Sequence, residues 1–216
     1  MTERHNQTSF GLTRAALFVP RLKNIFREEG VPEELVWIAL IESSFRPFAR
    51  SKSDAVGLFQ FKKGTAEAFG LKVNTSRDER TYPFLSAKSS AKYLKYLFKR
   101  FQDWDLVLAA YNLGEGALFR TMERTGTKKW IQVKVYLRRE TRDYVPKVHA
   151  AARIGEAFLE KGLHNMCFLY SVNKGDTLFA VAKRHQTDVT EIKRLNGLTN
   201  NTLQIGHTLI IPQVKK

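Results

Sequence analysis

Apolar positions along this chain recur at helical spacing over most of its length and change character near the C-terminus. From Leu12 to Arg27 an imperfect apolar face of Ala16, Leu17, Leu22, Ile25 and Phe26 runs through a basic segment, and Pro20 is expected to weaken its middle. In "EEGVPEEL", Gly30 can end that helix and Pro32 can sit in the first turn of the next, roughly 33–43. Its residues from Leu35 to Ile41 are almost wholly apolar, which places it at the centre of a core with Glu42 at its end. Residues 46–61 are rich in turn formers and finish in a strand-like run, "GLFQF". Thr65 is placed to cap a short helix ending near Gly70. Residues 86–101 put Tyr93, Leu94, Leu97, Phe98 and Phe101 on one face, and "DWDLVLAAYNLGEG" predicts a further apolar helix broken at Gly114 and Gly116. A basic, flexible-looking "MERTGTKK" precedes "RRETRDYVPKVHAAARIGEAFLEKG", a helix expected to be interrupted or re-capped near Pro146.

Residues 162–167 read as a joint, after which the pattern becomes strand, helix, helix, strand. "FLYSV" and "TLIIP" are the strands, and the helices run from about Thr177 to His185 and from Asp188 to Leu195. Asp188 can cap the second helix, with Glu191 three residues on as in a capping box. The expectation is a mainly α fold in two units, a helical domain over 1–165 and a compact βααβ module over 166–216.

Composition adds bounds. At 216 residues and 43% apolar the chain is long enough to bury real cores. Its net charge of +15 draws polyanions, among them nucleic acids, anionic lipid and acidic cell-wall polymers, without choosing among them. The single Cys167 excludes an internal disulfide, and five scattered histidines have no ligand spacing, so neither a metal nor another cofactor is expected. No apolar run approaches the roughly 20 residues of a membrane span. The N-terminal "MTERHNQTSF" does not look like a secretion signal.

Candidate chemistry centres on Glu42. A carboxylate at the edge of an apolar layer is costly to ionise, so its pKa rises, which suits a general acid near neutral pH. A Glu paired with Arg46 or Arg50, or one facing water, fits the same pattern. Gln60, polar among Leu58, Phe59 and Phe61, can face a site or plain solvent. Glycosidases usually pair two carboxylates, and the nearest second candidate is Asp54, on a turn. Glu67, Asp78 and Glu79 lie in polar surroundings that suggest exposure. By pattern alone the chain offers one acid and no convincing partner.

The segments "VPEELVWIALIESSFRPFARSKSDAVGLFQF", "GLKVNTSRDERTYPFLSAKSSAKYLKYL", "DWDLVLAAYNLGEG" and "ETRDYVPKVHA" closely resemble, in order and spacing, the catalytic domain of lytic murein transglycosylases, especially the membrane-bound D type. The resemblance covers about residues 15–160, and residues 169–212 resemble one LysM repeat, a module that binds glycans containing N-acetylglucosamine. It implies a fold similar to goose-type lysozyme with Glu42 as sole catalytic acid and base. Glu42 would cleave the β-1,4 bond from N-acetylmuramic acid to N-acetylglucosamine without water, leaving a 1,6-anhydro end, so that a second carboxylate is not needed. By position in the motifs, Ser43, Gln60, Tyr111, Asn112, Glu140 and Tyr144 are the implied cleft residues. Gly175, Asp176, Thr177, Leu178 and the loop from Asn201 to Ile205 are the implied LysM glycan groove. Phe59 stands where the subfamily often has Trp, and Asp54 where it usually has Gly. Lys62 stands where goose-type lysozymes carry Asp, which favours ring closure over hydrolysis while Asp54 leaves a hydrolytic route open. Phe179 replaces a frequent Trp and is expected in the module's core.

The implied partner is peptidoglycan, bound by a monomer in the bacterial cell envelope, with at most a weak membrane or envelope association and no specific nucleic acid. The periplasm is the expected compartment, and the absent signal implies a chain trimmed from an exported form. A hydrolytic muramidase and an inactive wall-binding protein are the rival readings.

Overall fold

The computed structural model describes residues 2–162 and 167–213, with side chains from Phe10 onward in the first helix. The expected joint at residues 163–166, and with it the boundary between 165 and 166, lies outside the described residues. Helix α1 (Thr2–Glu28) is unbroken through Pro20 and buries Leu12, Ala15, Phe18, Val19, Leu22 and Phe26. The apolar face is therefore turned from the one expected, since Ala16 and Leu17 are only partly buried. Pro20 is tolerated because it is exposed, so the carbonyl that loses its amide partner is free to bind water. A 3₁₀ turn (Glu33–Trp37) leads into the short α2 (Ile38–Ser43), and residues Leu35 to Leu40 are all buried.

Residues 46–61 form a turn-rich loop without a strand. Leu58, Phe59 and Phe61 are all buried, so their spacing reflects insertion into the core and not the alternation of a sheet. Gly57 (φ +84°) turns the backbone just before them and Gln60 (φ +50°) turns it between Phe59 and Phe61. Helix α3 (Lys63–Ala68) is preceded by Lys62 at the cap position, with Thr65 inside the helix. Helix α4 (Pro83–Phe101) begins with proline in its first turn and packs against α1. Asp103 caps α5 (Trp104–Leu113), accepting from the amides of Asp105 and Leu106. After Gly114 the chain re-enters a helix, α6 (Glu115–Thr125), so "MERT" is helical where flexibility was expected. The short α7 (Trp130–Val133) and a 3₁₀ turn (Lys134–Tyr136) precede α8 (Arg139–Glu160). Helix α8 continues through Pro146, which is exposed like Pro20.

Tyr144, Val145, Val148, Ala151 and Gly155 form the buried stripe of α8. Gly155 allows closest approach: a methyl there would lie 2.3 Å from the Trp37 ring. The Trp37 indole donates to Glu156 at 2.7 Å, and Lys23 pairs with the same carboxylate at 2.8 Å, which fixes α1, the 3₁₀ turn and α8 together.

The C-terminal unit is β1 (Cys167–Ser171), α9 (Leu178–Arg184), α10 (Val189–Asn196) and β2 (Thr208–Pro212). Its strands pair antiparallel with Leu169 opposite Ile210. Asp188 accepts from the Glu191 amide, half of the expected capping box, while the Glu191 carboxylate grips Arg194 instead of returning to the cap. Leu178, Val181 and Ala182 face inward from α9, so Phe179 points outward at 72% exposure and is not a core residue. The two units share apolar packing: Phe48 belongs to the cluster of Val172, Val181, Ile192 and Ile211, and its amide donates to the Asn196 carbonyl at 3.0 Å. Among the described residues no helix is long and apolar enough to cross a membrane.

Candidate active site

Glu42 occupies the last turn of α2, where Ser44 (φ +52°) ends the helix and returns its amide to Leu40. The preceding residues fill the core, so the carboxyl emerges from an apolar layer into a cleft of about 510 Å³. Tyr144 on α8 donates its hydroxyl to Glu42 Oε1 at 2.5 Å. Neither Arg46 nor Arg50 pairs with Glu42: Arg46 donates to the Ser43 carbonyl and Arg50 to Asp54 and Asp78. Desolvation raises the Glu42 pKa to about 7, against the Tyr144 hydrogen bond, which favours the anion, and with the help of the nearby Glu140 charge. Burial holds the Tyr144 and Tyr111 hydroxyls well above the usual phenol range. Both tyrosines therefore remain donors near neutral pH.

The opposite wall comes from the loop before α3. Gln60 lines the cleft and donates its amide to the carbonyls of Gly57 (2.9 Å) and Ala49 (3.2 Å), so the side chain holds its own turn closed. Tyr111 on α5 donates to the Phe59 carbonyl at 2.8 Å, and Asn112 beside it accepts from Thr141 on α8 at 2.9 Å. Glu140 lines the mouth and is exposed. Ser43 does not reach the cavity: it is buried, and its hydroxyl donates to the Leu58 carbonyl at 2.9 Å, tying α2 to the wall.

Several residues essential to this geometry were not singled out for the site in the sequence. Arg80 is 2% exposed and donates to the carbonyls of Asp54 and Phe61 while pairing with Asp78 at 2.8 Å. It pins both ends of the loop segment that contains the cleft wall. The clue available was an arginine directly after two acids in "RDERTYP". Asp78 is held below its usual range by the bonds to Arg80, although partial burial opposes this. Glu79 is buried, accepting from the Lys72 amide at 2.7 Å, which corrects the expected exposure of both acids. Asp54 is held by Arg50 and Arg80 and does not line the cavity. Tyr93, read as part of an apolar helix face, lines the cleft, which continues with Thr65 and Gly114 into a depression of about 600 Å³ beside Phe69 and Tyr96.

In the C-terminal unit, Gly175 (φ +87°) makes the turn before α9, and Thr177 caps that helix, accepting from the Ala180 amide at 3.1 Å. Leu178 is buried at 2% exposure and belongs to the core, so it is not part of an open groove. Asp176 spends its carboxylate on Tyr170 (2.6 Å) and the Asn173 amide (2.8 Å). Asn201 accepts from Lys193, and Ile205 is exposed, as is Phe179. Among the described residues no three potential metal ligands come together.

The profile of the Transglycosylase SLT domain family matches residues 22–133, and that of the LysM domain matches residues 170–212. Membrane-bound lytic murein transglycosylase D of Escherichia coli is 33% identical over 134 residues, 59% of this chain and 29% of that protein. Among solved structures, an inactive mutant of the lytic transglycosylase Slt from Pseudomonas aeruginosa superposes with a TM-score of 0.55 at 26% identity. That match covers 64% of this chain and 24% of the other. The 70 kDa soluble lytic transglycosylase of Escherichia coli gives a TM-score of 0.52 at 25% identity, covering 63% of this chain and 24% of that one. The chain thus spans less than a third of the length of these relatives.

Proposed function

The chain belongs to the Transglycosylase SLT domain family and carries a LysM domain behind it, and on that premise we propose that it cleaves peptidoglycan without water, using Glu42 as acid and then base. The observation that carries this reading is a desolvated carboxyl, protonated up to about pH 7, at the floor of a long cleft and held by one tyrosine. Glu42 donates its proton to the glycosidic oxygen between N-acetylmuramic acid and N-acetylglucosamine as that bond breaks. The substrate's own N-acetyl oxygen attacks the muramyl C1 and holds it as an oxazolinium. Glu42, now an anion stabilised by Tyr144, takes the proton of the muramyl C6 hydroxyl. The C6 oxygen closes on C1 and expels the acetyl oxygen, which leaves a 1,6-anhydro end and Glu42 protonated again. Atoms and charge balance with no water consumed. Phe69, Tyr93 and Tyr96 along the continuing groove offer apolar faces for further sugars.

Hydrolysis is the second reading, favoured by Glu140 at the cleft mouth, where a carboxylate can activate water. Asp54, engaged by two arginines, is poorly placed for that role. The LysM domain is read as a second contact with the same glycan, through Gly175, Thr177, Asn201 and Ile205, and the site of action as the bacterial cell envelope, where this polymer lies. Mass spectrometry of purified peptidoglycan digested by the protein and by Glu42→Gln tests the reaction. Anhydromuropeptides formed by the protein, with yield at least about 10³-fold lower in the variant, are the expected result. Reducing ends would instead assign a hydrolase.

A further inference from the structure

Between the two units lies a pocket that the proposed reaction does not use. It has a volume of about 270 Å³ and is lined by Phe10, Arg14, Ser44, Arg46 and Arg194. Arg14 is only 4% exposed, yet among the described residues its side chain has one hydrogen bond, from Nε to the Ser44 carbonyl at 2.7 Å. Gly11 permits this, because a side chain there would meet Leu40 at 2.8 Å and hold α1 off the end of α2. Among the described residues the Arg46 guanidinium binds only the Ser43 carbonyl, at 3.1 Å, through Nε. Arg194, from α10, stacks over Phe10 at 4.6 Å and pairs with Glu191 through two bonds of 2.7 Å.

Three guanidiniums around one void repel each other, and a buried one is costly without a counter-charge. Glu191 matches Arg194, while Arg14 and Arg46 have no carboxylate within ion-pair distance among the described residues. Burial, then the charges of Arg46 and Arg194, lower the Arg14 pKa to about 10, the signature of a cation short of anionic partners. Two unmatched positive charges equal the charge that a phosphate monoester approaches at neutral pH, and guanidinium forks fit phosphate oxygens well. Arg46 and Arg194 also line a second cavity of about 490 Å³ with Thr190, Lys193 and Gly197, which leaves room for a substituent on the phosphate.

We propose that this seam is a phosphate-binding site in which Arg14 and Arg46 of the transglycosylase domain and Arg194 of the LysM domain close on one phosphoryl group. The ligand bridges the two domains, so binding stabilises their contact. The inference is independent of the reaction assigned to the cleft.

The test is thermal unfolding of the full chain titrated with inorganic phosphate, with sodium chloride at matched ionic strength as reference. The expected result is a saturable rise over chloride of roughly 5–10 °C at a hundredfold excess over Kd. Arg46→Gln and Arg194→Gln should each abolish most of that rise, and Lys99→Gln, an exposed lysine on α4, should keep it. Arg46 and Arg194 are both surface side chains, so their variants test the site without disturbing the buried Arg14. A phosphate response equal to chloride, or one that survives both arginine substitutions, overturns the proposal. Sedimentation with phosphatidylcholine vesicles, with and without phosphatidic acid, separates the sources. Binding that needs phosphatidic acid and Arg46 supports the site with a lipid headgroup as ligand. A saturable phosphate response without such binding supports it with a free phosphate compound.

Discussion

Glu42 combines two opposed influences, and each can be measured. Burial keeps its proton on up to about pH 7, while the 2.5 Å bond from Tyr144 favours the ion. Under the proposed reaction, cleavage needs the protonated acid first, so kcat/KM should fall as pH rises through about 7. Tyr144→Phe removes the anion's donor, raises the Glu42 pKa and moves that falling limb to higher pH. The same change should lower kcat about 10- to 100-fold, as expected for a hydrogen bond to a charged group. Rates across pH 5–9 check both effects, and an unmoved limb would reduce Tyr144 to a packing role. Stability offers a second view. The folded pKa lies above that of an unfolded glutamate, so the native state binds the extra proton between about pH 4.5 and 7 and loses this advantage above that window. Glu42→Gln escapes the loss and should be more stable than the parent at pH 8 by up to about 3 kcal/mol, with the gap closing below pH 4.5. Urea unfolding at the two pH values measures it. Glu42 was legible as a candidate because a lone acid after the seven apolar positions from Leu35 to Ile41 is conspicuous, although a paired or solvent-facing Glu fits the same letters. Gln60 was not, since the same letters fit a strand, and only the backbone at φ +50° shows that it braces a turn.

At the level of elements, the cleft is a gap held open by close contacts elsewhere. The loop carrying Phe59 and Gln60 is pinned by Arg80, whose own carbonyl lies against Gly57. A Cβ at Gly57 would come within 1.9 Å of that oxygen and would have to adopt a φ of +84°. Gly57→Ala should therefore cost at least about 3 kcal/mol and displace the wall, reducing turnover even where the protein still folds. Gly155→Ala, which drives a methyl into Trp37 on the far side of α8, should destabilise comparably. Because Gly155 does not line the cleft, the rate per folded molecule of Gly155→Ala should stay nearly intact, while that of Gly57→Ala falls. Denaturant midpoints together with activity per folded molecule separate the cases. The long helices could be read from their periodicity, because a buried stripe imposes its spacing on the letters. Their prolines misled, since a proline on the solvent side breaks nothing that water cannot mend. The C-terminal module was legible from its alternation of short strands and capped helices, except at Phe179, where similarity of type to a core residue hid an outward direction.

Across the whole molecule, His207 sits at the junction of the two domains, 6% exposed, with its ring edge-on to Phe48 (4.8 Å) and Tyr82 (5.0 Å). Its Nδ1 accepts from the Gln204 amide at 3.1 Å, which leaves Nε2 as the protonated nitrogen, facing Thr81 at 3.4 Å. Burial and the Arg77 charge lower its pKa to about 4, against the opposing pull of Asp78. Between pH 6.5 and 4 the unfolded chain takes up a proton that the native ring refuses, so stability falls as pH falls through this window. His207→Phe should remove that part of the pH dependence, about 3 kcal/mol at most, as seen in melts between pH 7 and 4. The domain seam was the feature least legible in the sequence, because Phe48, Tyr82 and His207 lie far apart along the chain and each looks ordinary alone.

That seam changes what the LysM domain can do. Tyr82 donates to the Ile205 carbonyl and Gln204 to the Ser76 carbonyl, while Phe48 completes the module's core. A sugar-binding module on a slack tether only raises the local concentration of its polymer. Under the proposed function, one bolted to the cleft-bearing unit would act as a ruler: with a strand seated in both places, the bond presented to Glu42 would lie a fixed number of sugars from the anchored one, and fragment length would become a property of the fold.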